Sequence, residues 1–272
     1  MSKPEINRRR ALLGVAGSVA LAMAHSGAVR AQSSAPKRIL FVVSNPATAA
    51  SNGIPIGFWL PELAHPWFVF NRLGWTMTIA SPQGGQTRFD EMSTPDGRFG
   101  NPLDVISRGF AAAPPIQTLL ADTKPLPEMR VEDHDAIMII GGLAPPTTFT
   151  DDTRLHRLFG AFHDAGKIAA ALCHGSLVLL HARGADGRLL AEGRRWTGYT
   201  NAEEDVVDRV MGVRFQPFRI EDEARRIART EFVQGPAYRP FAVADGRLIT
   251  GQQGSSGLAT AELMVAALSD AA

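Results

Sequence analysis

A lone cysteine, Cys173, excludes any internal disulfide in this 272-residue chain. The fold must close on its hydrophobic core alone, which 45% hydrophobic residues at this length allow. Excess charge of one sign is also missing, with 28 Lys and Arg against 27 Asp and Glu for a net +1. The body of the chain has no basic run, so nucleic acid is not an expected partner. The six histidines other than His174 show no ligand spacing, and no metal or other cofactor is expected.

Long membrane-spanning apolar runs are lacking too. Ala11 to Ala24 is uncharged but has 14 residues, short of the roughly 20 that cross a bilayer. It follows Asn7-Arg8-Arg9-Arg10, and a basic block before a short apolar run describes an export signal. The adjacent arginines point to the twin-arginine route, with cleavage after Val29-Arg30-Ala31. The expected signal is therefore residues 1–31, with an uncleaved anchor as the alternative. Its removal takes out five basic residues and one acidic residue, moving the net charge from +1 to −3. The expected location is the periplasm or the exterior. No membrane contact is expected after cleavage.

Residues 37–272 alternate buried strands with helices. Arg38 to Ser44, Trp75 to Ala80, Ala136 to Ile140 and Ile168 to Leu172 are apolar runs of strand length. Pro61 to Arg72 reads as a helix with proline in its first turn, where the missing N–H costs nothing. Asp151 or Asp152 caps a helix through about His163, and Ser176 to Arg183 forms another. The C-terminal third adds a strand near Trp196, a helix from Ala202, a hairpin at Asp245-Gly246 and a last helix from about Ala259. Asp90 to Leu126 is rich in Gly and Pro and reads as an irregular inserted cap. The expectation is an α/β domain with a doubly wound, flavodoxin-like parallel sheet, whose site forms at the strands' carboxyl ends.

Cys173 sits between a buried strand and a helix, with Ala171 two residues before it and Gly175 two after. Small residues at this spacing mark a nucleophile elbow, a turn so sharp that backbone segments touch. A helix N-terminus beyond the thiol predicts a depressed pKa, and the His174 N–H predicts an oxyanion donor. The alternative is a buried structural cysteine. Glu62 lies in a first helical turn among Leu60, Leu63 and Trp67, as an acid/base of raised pKa or as a solvated carboxylate. Glu204 could hold His174, or could close a capping box with Asn201. Gly141-Gly142 either brings backbone N–H groups to a ligand or is a simple turn. Gly254-Ser255-Ser256-Gly257 either cradles an anion or caps a helix.

Together, Phe58 to Pro66, Ala80 to Gly85, Ala171 to Gly175, Thr197 to Glu204 and Asp245 to Gln252 resemble the ThiJ/PfpI superfamily of the class I glutamine amidotransferase-like fold. The similarity is to its glyoxalase III branch, which includes chaperone-like members. The resemblance implies Cys173, His174, Glu62 and Glu204 as catalytic residues, with Gly142, His174 and Leu143 around the substrate. Members of the branch usually carry Gly-Gly-His-Gly where this chain has Gly141-Gly142-Leu143-Ala144, so the pocket here is more apolar. The implied activity is a cofactor-free lyase of the D-lactate dehydratase type. It would turn a 2-oxoaldehyde such as methylglyoxal into a 2-hydroxy acid through a cysteine hemithioacetal, as a stress-protective detoxification. A cysteine hydrolase or hydratase of the same fold and a non-enzymatic holdase are the rivals. A small molecule is the expected partner, and a homodimer is compatible with the resemblance.

Overall fold

Runs of Ile, Leu, Val and Ala build the sheet, since strands covered on both faces need no polar alternation. The computed structural model describes residues 35–269, so the expected signal segment 1–31 lies outside the described residues. Seven strands form the central sheet: β1 (Arg38–Val42), β2 (Thr76–Ser81), β3 (Lys124–Pro125), β4 (Ala136–Ile139), β5 (Ile168–Leu172), β6 (Ala242–Asp245) and β7 (Leu248–Gly251). Their spatial order is β6-β7-β5-β4-β1-β2-β3. All neighbours are parallel except β6 and β7, the hairpin expected at Asp245-Gly246. Ile39 pairs with Met77 on one side and Ala136 on the other. The chain therefore winds outward from β1 in one direction and from β4 in the other. The crevice between these two strands is the switch point where such sheets bind ligands.

Among the described residues eight α-helices accompany the sheet: α1 (Leu60–Arg72), α2 (Val105–Ala112), α3 (Pro114–Ala121), α4 (Pro145–Thr148), α5 (Thr153–Asp164), α6 (Asn201–Met211), α7 (Ile220–Ala224) and α8 (Gly257–Ser269). Right-handed crossovers leaving the switch in opposite directions put α1 and α5 on opposite faces. On the α1 face, Phe41 stacks on Trp67 and Phe70, with centroids 6.1 and 5.9 Å apart. Leu63 and Phe70 are fully buried there. Asp152 caps α5, accepting from the N–H groups of Arg154 at 3.0 Å and Leu155 at 3.3 Å.

Two expectations need correction. The stretch from Asp90 to Leu126 is not irregular throughout, because it carries α2 and α3. Each helix has eight residues, too few for a periodic apolar face to stand out beside the flanking Gly and Pro. The segment after β5 is a 3₁₀ helix, Cys173–Leu180, that starts at the cysteine itself rather than an α-helix starting at Ser176.

The small residues around Cys173 are required by contact. A Cβ on Gly175 would lie 2.7 Å from the Ile139 carbonyl oxygen and 3.0 Å from the Ile140 carbonyl carbon, both backbone atoms that cannot rotate away. Gly175→Ala is accordingly expected to lower stability by about 1–3 kcal/mol, the range for overpacking. Urea unfolding would register this as a lower midpoint with an unchanged slope.

Candidate active site

The strand-to-3₁₀ junction forces Cys173 to φ +55°, a left-handed conformation that costs a non-glycine residue energy. That turn lifts the thiol out of the sheet at the carboxyl edge of β5. The side chain is buried, at 4% exposure, on the floor of a cavity of about 250 Å³. The structure thus has the elbow that the spacing predicts.

His174 and Glu204 join the thiol in a line. His174 Nδ1 lies 3.6 Å from Cys173 Sγ, and its Nε2 is 2.9 Å from Glu204 Oε1. A carboxylate at Glu204 places the imidazole proton on Nε2 and leaves the Nδ1 lone pair facing sulfur. The ring is clamped between that bond and Tyr199, whose ring centroid is 4.2 Å away. Glu204 is free for this because the capping box sits one residue earlier than Asn201 and Glu204. Thr200 is the N-cap of α6, and Glu203 accepts from its N–H at 3.1 Å and its hydroxyl at 2.8 Å.

Glu62 approaches from the other side. Helix α1 begins where the chain returns from β1, and its first turn delivers the carboxyl, fully buried, against the end of β4. Oε2 accepts from the Gly141 N–H at 2.8 Å. Oε1 is buried with no hydrogen-bond partner, and the Cys173 thiol is close enough to the carboxyl to influence its titration. Burial raises the Glu62 pKa to about 8, against the pull of the bonds from Cys173 and Gly141. Glu62 is therefore not a solvated carboxylate, and its raised pKa follows the sequence expectation.

The Cys173 thiol runs against expectation. Its pKa is pushed up, first by burial and then by the charge and hydrogen bond of Glu62, while the His174 N–H lowers it. The sequence shows the turn but not the depth of burial or the approach of Glu62.

Gly141 and Gly142 do more than turn the chain. A Cβ on Gly142, at φ +121°, would fall 2.5 Å from the Trp59 nitrogen. Among the described residues no acceptor takes the Gly142 N–H, so it is a donor open to an oxyanion, beside the His174 N–H that acts on the thiol. Leu143 lines the cavity, but its N–H is committed to Asp90 Oδ2 at 3.0 Å.

Asp90 escaped the sequence reading because it lies in the stretch taken as an irregular cap. It is buried and also accepts from the Gly57 N–H at 2.9 Å, tying the approach to α1 to the loop after β4. Burial pushes its pKa up to about 7, against the pull of those two N–H groups. Trp59, Phe99, Tyr199 and Tyr238 also line the cavity. No local pattern marked them, since their convergence depends on four separated segments. Gly254 and Ser255 reach the cavity rim in the short 3₁₀ turn before α8.

Comparison with known proteins gives the chain a family. The chain matches the DJ-1/PfpI family profile over residues 56–267. The chain belongs to the DJ-1/PfpI family. It is 26% identical to glyoxalase 3 of Candida albicans over 85% of this chain and 98% of that protein. It is also 26% identical to the glutathione-independent glyoxalase hsp3101 of Schizosaccharomyces pombe, over 79% and 88% of the two chains. The solved structure of Candida albicans glyoxalase III superposes with a TM-score of 0.72 at 22% identity, covering 85% of this chain and 97% of that one, and shows the shared fold.

Two outcomes follow from the Glu62–Cys173 pair. Alkylation of Cys173 against pH should give a midpoint above the free-thiol value of roughly 8.5 in the parent, and a lower one in Glu62→Gln, where the carboxylate charge is gone. The second is thermodynamic. An unfolded chain ionises Glu62 above its ordinary 4.5, whereas the native protein holds the proton until about 8. The native state binds more protons across that window, so this group makes stability fall as pH rises through it. Glu62→Gln should therefore be more stable than the parent at pH 7, by up to about 3 kcal/mol, with the gain fading toward pH 4.5. Denaturant titrations at several pH values would measure it.

Proposed function

We propose that the protein is a cysteine-dependent, glutathione-independent glyoxalase that converts a 2-oxoaldehyde to a 2-hydroxy acid without a cofactor. The carrying observation is one thiol flanked by two proton-handling groups: His174 Nδ1 at 3.6 Å and the buried Glu62 carboxyl. A hydrolase needs the first partner. An isomerisation between adjacent carbons also needs the second, because a hydrogen must leave one carbon and a proton must reach its neighbour. The relatives named as glyoxalases support the same reading.

Sulfur adds to the aldehyde carbon, C1, while His174 Nδ1 takes the thiol proton and returns it to the C1 oxygen, giving a hemithioacetal. The Glu204 carboxylate stabilises the imidazolium formed in between. Glu62, in its carboxylate form, then removes the C1 hydrogen as a proton, and the C1 hydroxyl passes its proton through His174 Nδ1 to the C2 oxygen, giving an enediolate. Return of the proton from Glu62 to C2 makes the thioester of a 2-hydroxy acid. Water cleaves the thioester, releasing the acid and restoring the thiol. C1 is oxidised and C2 reduced, so no external redox partner is required. The N–H groups of Gly142 and His174 stabilise the oxyanions along the way. A carboxylate whose conjugate acid has a pKa near 8 is a far stronger base than an exposed one, and this is the use of its burial.

Cys173→Ser should abolish conversion of methylglyoxal to lactate. Glu62→Gln should lower kcat by about 10²–10⁴, the range for loss of general acid/base catalysis. Parent activity should climb as pH rises toward about 8, where Glu62 gains its base form, and that limb should vanish in Glu62→Gln. Turnover by Cys173→Ser, or by Glu62→Gln within about threefold of the parent, would remove this mechanism.

A further inference from the structure

The floor of the cavity supplies the chemistry, while its walls are apolar. Trp59 and Phe99 stand together on one side, with ring centroids 6.2 Å apart. Tyr199 and Tyr238 stand in the wall that includes His174, and Leu143 and Val207 complete the lining between them. The polar side chains of the wall that holds Tyr238, and of the turn before α8, are bonded to protein groups. The Tyr238 hydroxyl donates to the Glu203 carbonyl at 3.0 Å, and the Tyr199 hydroxyl is 3.4 Å from it. Gln253 donates to the Arg239 carbonyl at 2.6 Å and accepts from Ser256, while Ser255 donates to the Tyr238 carbonyl at 3.3 Å. Among the described residues that line the cavity there is no lysine or arginine.

This arrangement is built, not incidental. Tyr238 is held in a left-handed conformation, φ +57°, with its N–H donated to Glu203 Oε1 at 2.9 Å. Glu203 is itself fully buried and takes a further bond from Gln252 Nε2 at 3.0 Å. The opposite wall is fixed by Gly254, where a Cβ would come within 2.6 Å of Trp59 Nε1, so the indole lies directly over the backbone.

We infer that the preferred substrate carries an aryl group on its ketone carbon: a 2-oxoaldehyde of the phenylglyoxal type, converted to a 2-aryl-2-hydroxy acid. With C1 on Cys173 Sγ, the substituent on C2 has to occupy the space between the aromatic walls. A methyl group there would leave most of about 250 Å³ to water against apolar surface. A flat ring fills the space and gains offset or edge-on contacts with its aromatic neighbours. A phosphate or carboxylate tail would find no cation. The inference rests on the glyoxalase reading for its reaction and on the walls for its selectivity.

The test compares kcat/KM for phenylglyoxal and methylglyoxal in the parent, in Phe99→Ala and in Leu143→Ala. It is paired with binding of the unreactive acids mandelate and lactate to Cys173→Ser. The parent should favour phenylglyoxal at least tenfold, each wall variant should cut that ratio at least threefold, and mandelate should bind more tightly than lactate. Cysteine-dependent turnover of methylglyoxal with no aryl preference, and with equal binding of the two acids, overturns the aryl inference and leaves the glyoxalase reading standing. Turnover of neither aldehyde, with mandelate still preferred, overturns the glyoxalase reading and keeps the aryl site. Turnover of neither, with no preference in binding, overturns both.

Discussion

The hydrogen bond from the Gly141 N–H to the buried carboxyl of Glu62 ties together parts of the chain 79 residues apart. Gly141 terminates β4 and Glu62 begins α1, so the bond closes the crevice at the point where the sheet reverses its winding. Its geometry demands glycine. A Cβ on Gly141 would lie 2.8 Å from both Glu62 Oε2 and the Cys173 Cβ, so any side chain here would push the acid and the thiol apart. A carboxyl buried this deeply with one bonded oxygen retains its proton near neutrality, and its second oxygen is left without a partner. Such burial costs stability, and a group kept at that cost is a sign of function.

The opposite side of the thiol is organised by a different device. The elbow strains Cys173, and the adjacent His174 can reach back toward sulfur because the turn folds the two side chains to the same side. Glu204 then orients the ring, leaving Glu203 to do the capping one position earlier. Two adjacent acids on one helical turn thus divide their duties: Glu203 shapes the far wall through Thr200, Tyr238 and Gln252, and Glu204 holds the base.

Much of the fold was legible because parallel strands buried on both faces leave unbroken apolar runs, as in β1, β4 and β5. The elbow was legible because contact imposes small residues at fixed offsets from Cys173. What could not be read was anything set by long-range meeting. Asp90 reaches Gly57 and Leu143 across 33 and 53 residues, and no local pattern announces either bond. The helix dipole expected to acidify Cys173 was a local inference, overruled by burial and by a glutamate 111 positions away in the chain. Short helices such as α2 and α3 were hidden for the opposite reason, since eight residues give too little periodicity to read.

The electrostatic setting of the thiol bears on how it survives as well as on how it reacts. Burial and two buried carboxyls, first Glu62 and then Glu203, act on Cys173, against the pull of the His174 N–H. Such surroundings disfavour the thiolate at rest, and the thiolate is the form that oxidants attack. In the proposed mechanism, sulfur becomes nucleophilic only when its proton has somewhere to go, which His174 Nδ1, 3.6 Å away, offers as the new bond to carbon forms. Reactivity is thereby coupled to the arrival of an electrophile in the cavity instead of being standing acidity. The same coupling explains why the glutamate is placed beside the thiol. A distant base would leave the thiol freer to ionise, but could not then reach the carbon that sulfur captures in the proposed mechanism.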